Sequence, residues 1–167
     1  LGSFGHDWGN RCGLKHLVQE ILTRTAIPRL RLSSLEPWDI EPHFFELWRN
    51  NRLLPHLHLP LQSGSDATLR RMARHTTKAS YELLLTQARA QIPNLSITTD
   101  LIVGFPGETE VDFAESLAFA EKMGFSGLHV FRYSVRTGTR ASLMSAHVPP
   151  AVAQDRSKRM HLLGSRL

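Results

Sequence analysis

Cysteine is nearly missing: Cys12 is the one such residue among 167. An internal disulfide framework is thereby excluded, as is any multi-cysteine metal site built by this chain alone. Cys12 has no base beside it in sequence and reads as a spectator, not a nucleophile. Long hydrophobic runs are missing too, since no stretch of 18 apolar residues occurs. A membrane-spanning helix is therefore not expected. There is no internal repeat and no low-complexity segment. A reducing, cytoplasmic setting is the expectation. The chain opens "LGSFGHDWG" without an initiator Met, so a piece of a longer polypeptide is expected, and a missing targeting signal carries no weight.

Acidic residues are scarce at the C-terminal end. Residues 132–167 hold Arg132, Arg136, Arg140, Arg156, Lys158, Arg159 and Arg166 against Asp155 alone, a balance of +6. The rest of the chain sums to −1, so the whole basic excess lies in this last segment. Such a stretch suits a polyanion, or forms an ordinary solvated helix.

What is present is a regular alternation of helix and strand patterns. "GLKHLVQEILTR" sets Leu14, Leu17, Val18, Ile21 and Leu22 at helical spacing. "RLRLSSL" (29–35) alternates as a strand, and "EPHFFELWRN" predicts a short helix with Pro42 in its first turn. "LPHLHLPL" (54–61) predicts the next strand, with His58, Pro60 and Gln62 on one face and Leu59 and Leu61 on the other. Helices are predicted over 65–74, with Ser65 as cap, and over 78–91. A third strand spans 95–105, and Thr109 and Asp112 predict a capping box for a helix that runs to Met123 and stops at Gly124. The fourth strand is 127–134, and a basic helix covers about 149–163. The strands look apolar on both faces. The predicted fold class is α/β, one domain over 1–167, with a parallel sheet that is open or part of a (β/α) barrel; four strands cannot close eight.

In such folds ligands bind where the strands' C-terminal ends emerge. The four strand ends deliver Ser33, Ser34 and Glu36; then Gln62, Ser63 and the Gly64-Ser65 turn; then Asp100 and "GFPGE" (104–108); then Tyr133, Ser134, Arg136 and Gly138. Carboxylates, an amide, hydroxyls and glycines at one rim suit a polar small molecule with ribose hydroxyls and a charged end. Plain structural roles compete: Gln62 and Ser63 as caps, Asp100 as a buried hydrogen-bonded acid, Arg74 on the last carbonyls of its helix. His56 and His58 share a strand face, but no third ligand stands at a recognisable spacing, so no metal site is expected. Trp8, Trp38 and Trp48 are expected to pack.

"HLPLQSGSD", "MARHT", "TTDLIVGFPGETEVDF" and "FRYSVRTGTRA", in this order, resemble the latter two-thirds of the radical S-adenosylmethionine (SAM) domain of methylthiotransferases. "RLRLSSLEP" resembles the branch acting on N6-threonylcarbamoyladenosine in tRNA. The isopentenyladenosine branch tends toward a Ser-His-Pro ending there, and the branch acting on a ribosomal protein toward a Tyr-containing one. The resemblance implies a partial TIM barrel in which a [4Fe-4S] cluster reduces S-adenosylmethionine to a 5′-deoxyadenosyl radical. A methylthio group is then installed on a modified adenosine of tRNA. It further implies an N-terminal domain with a second cluster and a C-terminal module that holds RNA, neither of them within these residues.

Carried over residue by residue, Glu36 resembles the acid that meets the methionine ammonium, and Arg74 the arginine that pairs with its carboxylate. Gln62 and Asp100 resemble ribose-hydroxyl partners, with Ser63 beside them. Gly104, Phe105, Pro106 and Gly107 would lie near the adenine, and Tyr133 and Arg136 would face cofactor or substrate. No catalytic residue is assigned. The Cys-x3-Cys-x2-Cys loop of the family is not in this sequence. The chain alone is therefore expected to be inactive. An RNA-binding or scaffold half-barrel without chemistry is the alternative, and the tRNA partner is assigned to 132–167.

Overall fold

The computed structural model describes residues 3–5, 7, 9 and 13–167; Cys12 and Trp8 lie outside the described residues. Three parallel strands form one sheet in the order β1-β2-β3: β1 (His56–His58), β2 (Ser96–Val103) and β3 (Gly127–Arg132). Helices α2 (Asp66–Arg71) and α3 (Lys78–Gln91) connect β1 to β2, and α4 (Glu110–Met123) connects β2 to β3. Helix α1 (Gly13–Arg24) precedes the sheet and α5 (Pro150–Gly164) follows it. The expected partial-barrel α/β architecture is what is found.

The sheet has two unlike faces, which corrects the expectation of strands apolar on both. Along β2, Ile97, Thr99, Leu101 and Val103 are buried while Ser96, Thr98, Asp100 and Ile102 are half-buried. The buried set joins Leu57, Tyr81, Leu85, Phe113, Phe119, Met160 and Leu163 in one core under the helices. The other face carries His56, His58, Thr98, Asp100 and His129 and borders an open cavity of about 520 Å³. A barrel strand shows side chains alternately to helices and to bore, so a polar bore gives this alternation.

Local chemistry explains where elements stop. Thr109 and Asp112 close the expected capping box of α4: the Thr109 N–H donates to Asp112 Oδ2 at 2.9 Å and the Asp112 N–H to Thr109 Oγ1 at 3.1 Å. Thr77 and Ser80 do the same for α3. Ser65 sits at the N-cap of α2 but makes no side-chain cap; its hydroxyl donates to Asp112 Oδ1 at 2.9 Å instead. The short helix expected over 41–50 is a 3-10 helix, Phe44–Arg49, that starts only after the left-handed His43 (φ 63°); a separate 3-10 turn, Pro37–Asp39, precedes it. The strand expected at 29–35 forms only a Leu30–Leu53 bridge and the Leu35 N–H to His58 O bond of 3.0 Å. It runs beside β1 without becoming a ladder. Trp48 packs on Phe44 and donates from Nε1 to Leu54 O at 2.7 Å, as a core residue should; Trp38 is 40% exposed and does not.

Strand β1 is shorter than expected because Pro60 has no N–H to give the ladder. The Thr99 hydroxyl fills the gap, accepting from the Leu61 N–H at 2.9 Å and donating to Leu59 O at 2.7 Å. Pairing resumes at the Gln62–Leu101 bridge, one residue out of register with His58–Thr98. An extra residue on one strand is a β-bulge, and bulges re-aim the side chains that follow.

Candidate functional site

That bulge sets up Gln62. Its backbone is left-handed (φ 71°), a conformation that costs a side-chain-bearing residue about 1–2 kcal/mol. Both of its backbone groups are tied to β2: the Gln62 N–H donates to Asp100 O at 2.8 Å, and Gln62 O accepts from the Ile102 N–H at 2.9 Å. The side chain is buried, yet its amide bonds no other described residue. A strained backbone presenting an uncommitted amide at a strand end is what a ligand contact requires.

The methionine-end candidates meet each other. Just past the C-cap of α2, Ala73 is again left-handed (φ 55°), and the Arg74 N–H bonds Leu69 O at 3.0 Å. The chain thereby turns and carries the Arg74 guanidinium to Glu36, with Nη1 3.2 and 3.3 Å from the two carboxylate oxygens. Both side chains are partly exposed, 27% and 38%, so this is a pair that a solute can reach and open. Its net worth to the fold is below about 1 kcal/mol. The guanidinium also lies 5.6 Å from the centre of the Trp38 ring. Trp38 is thus a rim residue, and its solitary place in a loop gave no sign of it.

Asp100 is drawn elsewhere. Its carboxylate lies 3.3 Å from His58 Nε2 and 3.1 Å from His129 Nδ1, on the bore face. The four residues expected around one ligand therefore form two groups: Glu36 with Arg74 through side chains, and Gln62 with Asp100 through backbone. Ser63 is buried, and its hydroxyl accepts the Ser65 N–H at 3.2 Å.

The Gly104–Gly107 loop spends its donors internally. The N–H groups of Gly104 and Phe105 both donate to Glu108 Oε2, and that of Gly107 donates to Ala146 O at 2.6 Å. Burial raises the Glu108 carboxyl above its ordinary value, against the pull of Arg156 and these N–H groups. Phe105 and Pro106 are buried. Tyr133 packs edge-on against Phe105 at 5.3 Å and stacks on His147 at 6.1 Å. The Tyr133 hydroxyl is buried without a hydrogen-bond partner among the described residues. With Phe131, Arg132 and Arg136, the Phe105 and Tyr133 rings line a rim cavity of about 350 Å³.

The basic segment is only partly free. Arg156 is buried; Nη1 lies 3.4 Å from Glu108 Oε1 and donates to Glu108 O at 3.1 Å, and Nε reaches Glu110 at 3.3 Å. Arg159 pairs with Glu110 at 2.7 Å and Asp155 at 3.5 Å. These two arginines hold α5 against the loop and leave the set expected to face RNA. Arg132, Arg136, Arg140, Lys158 and Arg166 stay exposed.

Residues 10–120 match the Radical SAM superfamily. The chain belongs to the radical SAM superfamily. Two similar relatives of this radical SAM chain are tRNA-modifying. The tRNA-2-methylthio-N(6)-dimethylallyladenosine synthase of Acidothermus cellulolyticus is 43% identical over 96% of the chain and 32% of its own length. The threonylcarbamoyladenosine tRNA methylthiotransferase of Thermotoga maritima is 42% identical over 93% and 36%. The chain spans about a third of the length of these curated relatives. Near-equal identity to both does not separate the two branches.

Among solved structures, coproporphyrinogen III oxidase of Escherichia coli, a radical SAM enzyme, superposes with a TM-score of 0.73 at 20% identity, over 94% of this chain and 37% of that one. A radical S-adenosylmethionine methyltransferase from Kitasatospora setae, solved with cobalamin and a [4Fe-4S] cluster, gives 0.59 at 17%, over 72% and 25%. Both likenesses concern the fold. No helix among the described residues is long and apolar enough to cross a membrane.

Proposed function

We propose that this radical SAM chain forms part of the S-adenosylmethionine site of a methylthiotransferase acting on a modified adenosine of tRNA, in the threonylcarbamoyladenosine branch. The observation that carries the reading is the reachable Glu36–Arg74 pair. An α-amino acid zwitterion inserted between them exchanges one ion pair for two: Glu36 takes its ammonium, and the Arg74 fork takes its carboxylate in a bidentate pair. The uncommitted Gln62 amide, at the end of the next strand, accepts and donates to ribose hydroxyls. Asp100 reaches a ribose hydroxyl only by releasing an imidazole. Because the loop's N–H groups are occupied, adenine would meet the carbonyls and the Phe105 and Tyr133 surfaces near Gly104–Gly107.

These residues fit S-adenosylmethionine but not a thiolate-held cluster, for which one cysteine among 167 residues is too few. The electron that cleaves the sulfonium is therefore supplied from outside this stretch, and these residues alone bind without cleaving. The names of the relatives support the tRNA substrate, and the "RLRLSSLEP" segment supports the branch.

Calorimetric titration of the chain with S-adenosylmethionine tests the reading. Weak saturable binding is expected, reduced at least about tenfold by Arg74→Ala, a loss within the range of a charged bidentate hydrogen bond. Thermal unfolding of the variant should be nearly unchanged. No saturable binding by the unaltered chain, or equal affinity in the variant, overturns it.

A further inference from the structure

Trp38 has no part in that reading, and core packing does not account for it. It is 40% exposed, and its ring meets two consecutive residues, Arg74 and His75. A tryptophan ordinarily buries most of its surface. Taking Glu36 and Arg74 as the amino-acid end of the cofactor site, on which this inference rests, we propose that Trp38 is its positioning residue. The ring holds the Arg74 guanidinium in place when a ligand opens the Glu36–Arg74 pair.

One short turn displays both the acid and the ring. Glu36 stands at the N-cap of the 3-10 turn Pro37–Asp39, and the Asp39 N–H closes the turn on Glu36 O at 3.0 Å. The Glu36 side chain caps nothing there and is left to Arg74. Pro37 is buried and its φ is fixed by its ring, so it anchors the turn while Trp38 stays outside the core. From the other side, left-handed Ala73 delivers Arg74 and His75.

The ion pair alone is a loose hold. Both bonds to Glu36 run from Nη1, at 3.2 and 3.3 Å, against about 2.7–2.9 Å for a good charge-assisted bond. Among the described residues, Glu36 is the one carboxylate that meets Arg74. A ligand ammonium that draws Glu36 away would release a long side chain into many rotamers. Fixing its fork on the ligand carboxylate would then cost entropy.

The ring removes that freedom. Its centre lies 5.6 Å from Arg74 Cζ, inside the roughly 6 Å reach of a cation–π contact, and tryptophan is the strongest aromatic partner for one. A contact with the ring face needs no carboxylate, so it outlasts the opening of the ion pair. His75 meets the same ring edge-on, 5.7 Å between centres with planes at 79°, and holds the ring in turn. A side chain kept in its bound arrangement beforehand raises affinity by lowering the cost of ordering it.

NMR of the Arg74 side chain tests the hold without any ligand. A guanidinium over an aromatic face has its Nε–H proton signal displaced upfield. The displacement should be present in the unaltered chain, persist in Glu36→Ala, which opens the pair, and vanish in Trp38→Ala. An undisplaced signal in the unaltered chain, or its loss in Glu36→Ala, overturns the proposal, because the acid and not the ring would then hold the arginine. Titration with S-adenosylmethionine, followed in the same spectra, tests the consequence. Trp38→Ala should weaken binding about three- to tenfold, within the range of a half-exposed cation–π contact, and Trp38→Phe should recover part of the loss. Decarboxylated S-adenosylmethionine lacks the group that Arg74 takes, and should bind Trp38→Ala and the unaltered chain alike. Equal losses for the two ligands, or unchanged affinity for S-adenosylmethionine, overturn the role of Trp38 and leave the Arg74 reading standing. No binding of S-adenosylmethionine by the unaltered chain overturns both. With the ring 40% exposed, thermal unfolding of both Trp38 variants should be nearly unchanged.

Discussion

Asp112 gathers four donors on one carboxylate. The Ser65 hydroxyl and the Arg71 guanidinium reach it from the turn and helix after β1, at 2.9 and 2.8 Å, and the Thr109 N–H and hydroxyl from its own capping box, at 2.9 and 2.8 Å. Burial alone would raise its pKa, but the bonds from Thr109, Ser65 and Arg71 outweigh it and bring the group down to about 2. A depressed carboxyl contributes stability that is complete above its unfolded pKa and fades as pH falls through its folded one. The window here runs from about pH 4 down to about pH 2, and the contribution near neutrality is about 2 kcal/mol. Asp112→Asn should lose that amount in urea unfolding near neutral pH and converge with the unaltered chain at the acid end. Equal gaps at both ends would show that shape, not charge, sets the cost. The capping half of this arrangement could be read from Thr109 and Asp112, three residues apart. The Ser65 and Arg71 half could not, because over forty residues of chain separate the partners.

Helix α5 shows the same division at the scale of an element. Its existence and length follow from residues 149–163, and the structure gives Pro150–Gly164. Its docking follows from a close approach. A Cβ on Gly104 would stand 2.7 Å from the Ala153 Cβ, and the Gly104 backbone is left-handed (φ 75°). The glycine read as turn chemistry is thus also the seat of a helix. Gly104→Ala should cost about 1–2 kcal/mol for the backbone and a further 1–3 kcal/mol for the overlap. Ala153→Gly in the same chain should return the overlap part only, less a small helix-propensity loss, and denaturant unfolding of both variants measures the split. Full recovery would mean that φ carries no penalty; no recovery would mean that α5 does not press on the loop. Elements whose bounds depend on such partners were the ones that shifted. Strand β1 shortened at Pro60, residues 29–35 stayed outside the ladder, and a left-handed His43 moved the start of the predicted helix to Phe44. Helix α3, with its own apolar pattern and Thr77 cap, matched residue for residue.

Across the whole molecule, the formal charge of the last segment overstates what faces solvent. The +6 of residues 132–167 includes Arg156 and Arg159, which acids on the loop and on α4 and α5 absorb. Removing Arg156 would strand Glu108 in the core, a loss of about 3–5 kcal/mol that mimics reduced RNA binding by unfolding the chain. A test of the polyanion surface must therefore spare it and use Arg136, Arg140 and Lys158, which are exposed. Each phosphate contact releases counterions, so log affinity falls with log salt by about 0.7–0.9 per contact. Replacing these three by Gln should weaken tRNA binding at low salt and reduce the slope by about 2–3, with no change in urea unfolding. A slope that does not move would take the tRNA away from this end of the chain.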